Sequence, residues 1–264
     1  MDRIKILITG ANGYLGKSLA HHLSKTHEVV CTTRNILDVT DINSVTSFLS
    51  NQYFDVVLHC AISGGSRLKL ETYQDMDNNL ISYYNLLLNR NYFGKFISFG
   101  SGAEIYAHHT PYGMSKNVIA KSISEKENFY NIRIFAIFDE NELDTRFIKS
   151  CIVNCINNKN INIHQDKFFD FFYMEDFLKI IDLYLAEKIT YKNFDCCYKE
   201  KKKLSDIAKY ICNLFEKSSD DFILKLNDNI GESYTGNFTE LNNIHFIGLN
   251  EGINRVSKIL RNSF

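Results

Sequence analysis

The residues Tyr112-Gly113-Met114-Ser115-Lys116 carry a pairing that can move a proton. On a helix, residues four apart lie one above the other, so the phenol of Tyr112 and the ammonium of Lys116 can serve one site. A free phenol titrates near ~10, and a fixed cation beside it favours phenolate; such a pair donates or accepts a proton near neutral pH. Alone, the same spacing also describes a tyrosine packed on the stem of an exposed lysine. Two other groups of residues decide between these readings. Gly10-Ala11-Asn12-Gly13-Tyr14-Leu15-Gly16 follows a short apolar run and opens an amphipathic pattern through Leu19 and Leu23, and Ser101 ends another apolar run.

The glycine segment has a physical use. A strand, a glycine turn and a helix start together let backbone N–H groups receive a pyrophosphate. Gly10 permits the tight turn, Gly13 the close approach of phosphate, and Gly16 close helix–strand packing. The strand behind it is Arg3–Thr9, and the next is 27–33. At the end of that second strand an NAD-binding chain usually presents Asp or Glu to the ribose 2′-hydroxyl. Here Thr33-Arg34-Asn35 stands instead, with no acid before Asp38. Arg34 beside a hydroxyl suits a 2′-phosphate, which favours NADP over NAD. Asp38 and Val39 are placed to cap an adenine, and Asp41 reads as the N-cap of a helix reaching Leu49.

These residues require an alternating scaffold. Residues 54–61 read as a third buried strand, and Cys60 and Ala61 are small enough for a cofactor to pass close by. A loop through Ile62-Ser63-Gly64-Gly65-Ser66-Arg67 follows, then a helix from about Tyr73 to Asn89 whose asparagines 78, 79 and 85 are expected mostly on its surface. Residues 95–102 make a fourth strand, 103–111 a polar loop, and 131–138 one further strand. Strand–helix alternation of this kind implies an α/β, doubly wound parallel sheet (a Rossmann fold). Ser101, Tyr112 and Lys116 then share its carboxyl edge with the glycine turn. Beyond residue 138, helices near 145–157, 174–186, 204–217 and 249–260 interleave with short strands at 161–164, 193–197 and 222–226. The expected division is a dinucleotide-binding domain over 1–138, to which part of the later chain returns, and a mainly substrate-binding α/β part over 139–264.

Composition excludes other classes. A formal net charge of −1 over 264 residues argues against nucleic acid as a partner. No apolar run approaches the ~20 residues of a membrane span, and residues 1–10 run into a strand pattern that leaves no room for a signal peptide. Seven cysteines without C-x-x-C spacing read as reduced, mostly buried thiols of a cytoplasmic protein, with no metal site expected. The Lys199–Lys203 run, of mixed sign and without aromatic residues, reads as a solvated turn.

Taken together, Thr9-Gly-x-x-Gly-x-x-Gly16, the strand ending at Ala61, Asn79 six residues before Asn85-Leu86-Leu87, Ser101 and Tyr112-x-x-x-Lys116 resemble the extended short-chain dehydrogenases/reductases. Within these the chain is similar to the NAD-dependent epimerase/dehydratase group acting on nucleotide-diphosphate sugars, and Asp170–Asp176 resembles a further segment of that group. Gly64-Gly65 and Leu37–Asp41 are similar to the corresponding stretches of bacterial 4-keto-sugar reductases, the GDP-fucose synthase and dTDP-4-dehydrorhamnose reductase kind. The resemblance implies that Tyr112 is the general acid/base, that Ser101 hydrogen-bonds the same substrate oxygen, and that Lys116 binds the nicotinamide ribose and lowers the phenol pKa. It implies cofactor contacts at Gly10, Asn12, Gly13, Tyr14, Leu15, Gly16, Arg34, Asp38, Val39, Cys60, Ala61 and Asn79, besides Tyr112 and Lys116.

The chain departs from the family's pattern in four places. Counting back four residues from Tyr106 reaches Gly102, which has no hydroxyl, so Ser101 takes the serine role with one residue more. Ala136, Phe138 and Asp139 replace the Asn, Tyr and Gly that usually follow Arg133, Phe169 replaces an Arg, and the chain after 176 is short. Arg67, Arg146 and Lys167 are the candidate partners for the substrate diphosphate. The expected activity is NADP-dependent reduction of a keto group, at C4, on a nucleotide-diphosphate-linked deoxy sugar for surface polysaccharide. An epimerase that retains NAD, and a non-catalytic NADP-sensing regulator, are the alternatives. A 4,6-dehydratase is disfavoured because Ala103-Glu104 supplies one carboxylate where such enzymes carry an acidic pair. No membrane partner is expected, and a homodimer is left open.

Overall fold

The computed structural model describes residues 3–65, 69–227 and 231–263. The chain falls into two compact units, one of residues 1–133 and 181–194, the other of residues 134–180 and 195–264. In chain order the elements are β1 (Lys5–Thr9), α1 (Tyr14–Leu23), β2 (Glu28–Thr32), α2 (Ile42–Leu49), β3 (Phe54–His59), α3 (Tyr73–Leu88), β4 (Phe93–Ser101), α4 (Ala103–Tyr106), α5 (Pro111–Ser124) and β5 (Phe129–Ile134). They continue as β6 (Ile137–Phe138), α6 (Phe147–Ile156), β7 (Ile161–Ile163), β8 (Phe172–Tyr173), α7 (Met174–Leu185), β9 (Asn193–Cys196), α8 (Leu204–Leu214), α9 (Ser219–Phe222), β10 (Ile223–Lys225) and α10 (Leu249–Ser263).

The first unit is built on a six-stranded sheet of order β2-β1-β3-β4-β5-β9, a Rossmann-type α/β arrangement. β1 pairs in parallel with both β2 and β3, with Leu7 opposite Val30 and Val57, and β3 pairs in parallel with β4. A central parallel strand is covered on both faces, so Ile6, Leu7 and Ile8 have no exposed surface. After β2 the chain crosses back over β1 to start β3. That reversal leaves a crevice at the carboxyl ends of β1 and β3, where such sheets bind ligands. Helix starts are set locally. Asp41 accepts the Asn43 N–H at 2.9 Å, Thr72 and Asp75 form a capping box, and Thr110 accepts the Gly113 N–H with Pro111 at the first helical position. The core under the helices joins Leu7, Val45, Phe54, Val57, Leu86, Phe96 and Phe129, with the Phe96 and Phe129 rings stacked at 4.9 Å.

In the second unit two small parallel pairs, β6 with β8 and β7 with β10, are covered by helices around a core that includes Phe138, Ile148, Ile152, Phe171, Ile211, Ile253 and Val256. Gly252 lets α10 approach β8; a Cβ there would lie 2.8 Å from Cγ of Tyr173.

Three expectations are corrected here. The single strand expected over 131–138 is interrupted at Phe135 and Ala136, where the Ala136 carbonyl accepts the Phe172 N–H at 2.8 Å and the chain enters the second unit's own sheet. The polar loop expected over 103–111 contains the helix α4. The Lys199–Lys203 run is no simple solvated turn, because Lys201 Nζ donates to the buried carboxylate of Asp170 at 2.6 Å.

Candidate active site

A cavity of about 540 Å³ opens in the first unit along the crevice beside β1. Gly10, Asn12 and Gly13 line one part of it, Thr33, Arg34, Leu37, Asp38 and Val39 another, and Cys60, Ala61, Ser63 and Asn79 a third. Gly10 adopts φ +65°, and a Cβ on it would lie 2.6 Å from Cα of Ala61. Only glycine fits there. Gly16 is equally constrained, since its Cβ would fall 2.6 Å from the Gly10 carbonyl oxygen. Gly13 is the N-cap of α1 and no side chain caps that helix. The positive end of the helix dipole at that first turn favours an anion. The chain thus fits the diphosphate of a dinucleotide. Tyr14, Leu15 and Gly16 form the first turn of α1 just behind this wall.

The wall at the end of β2 holds Arg34, whose side chain is 74 % exposed and whose Nε donates to Asp38 Oδ2 at 3.1 Å. Asp38 also accepts the N–H and hydroxyl of Thr40 at 2.9 and 2.6 Å, and these hydrogen bonds, the hydroxyl first, hold its carboxyl below the usual range. Asn85 donates to the Val39 carbonyl at 3.0 Å and fixes this stretch to α3. Asn79 and Asn85 are both buried, which corrects the expectation of surface asparagines on α3. Buried amides need partners, and each of these side chains finds them across the unit rather than on its own helix.

Tyr112 and Lys116 lie on α5 as expected, with Lys116 Nζ 5.7 Å from the centre of the Tyr112 ring. The ammonium donates to the Phe99 carbonyl of β4 at 2.6 Å and is almost wholly buried. Burial lowers its pKa to about 8, against the raising influence of Glu104 and Cys60. Ser101 closes β4, its hydroxyl accepting the Ala103 N–H at 3.2 Å. His59, at the end of β3, is buried and hydrogen-bonded through Nδ1 to Thr9 Oγ1 at 2.8 Å. Desolvation first, and then the Lys116 charge, push its pKa down to about 3, so it stays neutral behind the cavity.

The depressed Lys116 pKa has a consequence for stability. Below pH 8 the folded chain carries a buried ammonium, a cost of about 3 kcal/mol relative to its ordinary value near 10.5. Between about pH 8 and 10.5 the unfolded chain binds the extra proton, and the cost fades as pH rises. Lys116→Met is therefore expected to unfold in urea at pH 7 no more easily than the wild type, with the wild type gaining on it as pH is raised through that window. Easier unfolding of the variant at pH 7 together with a pH-independent difference would contradict this.

Sequence reasoning missed Glu104 as a structural centre. Its buried carboxylate accepts the Ser101 N–H at 2.9 Å, the Asn131 amide at 3.1 Å and Arg133 Nε at 3.0 Å. Gly100 leaves room for it, because a Cβ there would collide with Glu104 Oε1 and Asn131 Oδ1. Glu104 two residues before Tyr106 was the only signal in the sequence. Of the candidate substrate residues, Arg146 is the N-cap of α6 and Lys167 lies with its Nζ 5.6 and 5.7 Å from the ring centres of Phe169 and Tyr234, all in the second unit. Arg67 lies outside the described residues.

Residues 6–197 match the model of the NAD dependent epimerase/dehydratase family, and the chain belongs to that family. No curated protein sequence matches it. Among solved structures it is similar to the GDP-mannoheptose C4 reductase of Campylobacter jejuni with NADP bound, at 15 % identity, TM-score 0.81 and 99 % coverage of both chains. It is also similar to the UDP-glucose 4-epimerase of Thermotoga maritima with UDP-glucose, at 15 % identity, TM-score 0.80 and 98 % and 99 % coverage. A dTDP-4-dehydrorhamnose reductase of Clostridium acetobutylicum shares 21 % identity with a TM-score of 0.71 over 84 % of this chain and 83 % of its own. At these identities the likeness is one of fold. Among the described residues no helix is long and apolar enough to cross a membrane.

Proposed function

We propose that the chain is an NADP-dependent reductase of a keto group, at C4, on a nucleotide-diphosphate-linked deoxy sugar destined for surface polysaccharide. The observation that carries this reading is a Lys116 buried against the Tyr112 ring on one helix of the unit that also holds the glycine-lined cavity. Support comes from the family and from the NADP in the similar Campylobacter reductase.

When bound, the nicotinamide supplies the hydride for the carbon of the keto group. The chain supplies the rest. Gly10, Asn12 and Gly13 with the start of α1 would hold the diphosphate, Asp38 and Val39 would cap the adenine, and Arg34 with Thr33 would meet the 2′-phosphate. Tyr112 gives its proton to the substrate oxygen and Ser101 hydrogen-bonds the same oxygen. Lys116 holds a positive charge beside the phenol and favours the phenolate left behind.

A second reading, an epimerase retaining NAD, is favoured by one observation: Asp38 lines the same cavity and its carboxylate already engages Arg34. The two are separated by following NADPH oxidation with a panel of nucleotide 4-keto sugars. Oxidation with a C4-reduced product supports the reductase. Inertness with every keto sugar, together with interconversion of unreduced sugars, replaces it by the epimerase. Binding of NADPH without any turnover in either assay points to a sensing regulator.

Arg34→Ala is expected to weaken NADPH binding about 10- to 100-fold, the value of a hydrogen bond to a charged group, with little change for NADH. Fluorescence titration of both nucleotides measures it, and an unchanged ratio overturns the cofactor assignment.

A further inference from the structure

The loop after β3 turns back at Gly64 and Gly65, which have φ of +81° and +70°. The two positions differ in what they face. A Cβ at Gly64 would meet Cβ of Asp75 at a tight 3.3 Å, which Asp75 relieves by shifting a few tenths of an ångström, and Cβ of Tyr112 at 3.7 Å, ordinary packing away from the ring's far end. A Cβ at Gly65 would lie 2.9 Å from both Cε2 and Cζ of Tyr112 and 3.3 Å from Cε1, the hydroxyl-bearing end of the ring.

The turn cannot retreat from that ring. Asn79 Oδ1 accepts the Ser63 N–H at 2.8 Å, and its Nδ2 donates to the Ser63 carbonyl at 2.9 Å and to Ser115 Oγ at 3.1 Å. Ser115 Oγ in turn donates to the Tyr112 carbonyl at 2.7 Å. Ser63 Oγ donates to Asp75 Oδ1 at 2.5 Å, while Asp75 Oδ2 caps the start of α3 through Thr72. One buried amide on α3 thus fixes both the turn and the backbone that carries the phenol.

We propose that Gly65 is a positioning residue: its bare backbone braces the hydroxyl end of the Tyr112 ring, and Asn79 anchors the brace. The role in turnover rests on Tyr112 being the acid of the proposed reductase; the brace itself does not. The brace sets where the phenol oxygen stands relative to Lys116, which lies beside the same ring. A side chain at 65 displaces the ring, whereas one at 64 imposes the same left-handed backbone strain without touching the ring's far end.

The test places 3-fluorotyrosine at position 112 of the full chain and records its fluorine resonance and pH titration in the wild type, Gly64→Ala, Gly65→Ala and Gly65→Asn. The asparagine variant tolerates positive φ and keeps a folded protein in hand. The position 65 variants are expected to shift the resonance and move the titration midpoint, with Gly64→Ala matching the wild type and NADPH binding within twofold in all. With a nucleotide 4-keto sugar, Gly65→Asn lowers kcat at least tenfold at a KM within threefold. A resonance unmoved by the position 65 variants, or moved equally by Gly64→Ala, overturns the proposal. A resonance that responds in a protein reducing no keto sugar upholds the brace and removes the reductase reading instead.

Discussion

Tyr112→Phe is expected to lower kcat by about 10²- to 10⁴-fold, the usual worth of a positioned proton donor, while leaving NADPH affinity within twofold. The split follows from the geometry. Phenylalanine keeps the ring that packs against Gly65 and lies beside Lys116, so that packing is preserved. Lys116 keeps its own anchor on the Phe99 carbonyl at 2.6 Å and does not need the phenol to stay in place. The hydroxyl and its transferable proton are lost while the ring stays. Single-turnover NADPH oxidation with a responsive keto sugar, beside a fluorescence titration of NADPH, measures the two quantities separately. A variant with undiminished turnover would remove Tyr112 from the chemistry.

Glu104→Ala has the largest effect on stability, about 3–5 kcal/mol. The Glu104 side chain is 2 % exposed and Arg133, whose side chain is 15 % exposed, donates to its carboxylate from Nε at 3.0 Å. Removing the acid takes from the half-buried Arg133 guanidinium the carboxylate it pairs with. It also withdraws the acceptor for the Ser101 amide, so the serine at the end of β4 loses its support. Pairing Glu104→Gln with Arg133→Met should recover a good part of the loss, because the half-buried cation goes with the anion. Urea unfolding of the single and double variants gives the comparison. A loss below about 1 kcal/mol for Glu104→Ala would mean that the ion pair is not closed in solution.

What could be read from the residues beforehand was local. The glycine turn, the buried strands and the Tyr–Lys spacing depend on neighbours a few positions away, and the sheet follows from their alternation. The break at Phe135 and Ala136 gives no such sign, since the stretch stays apolar while its hydrogen bonds pass to another sheet. Asn79 and Asn85 look like surface residues until α3 is packed, when each is satisfied by a distant backbone. Glu104 and Arg133 stand 29 residues apart and meet only through the fold. The whole of α4 is four residues, too short to show a period.

Every residue named on the wall of the cofactor cavity falls between Gly10 and Ser82. The lining of that cavity is thus one short uninterrupted stretch of chain. A crossover downstream of codon 82 would exchange the rest of the chain, Arg146 and Lys167 included, and keep the lining of that cavity intact, with Tyr112 and Lys116 supplied by the incoming segment. Under the proposed function, the 2′-phosphate contact at Arg34 and the candidate substrate contacts at Arg146 and Lys167 would be separately heritable.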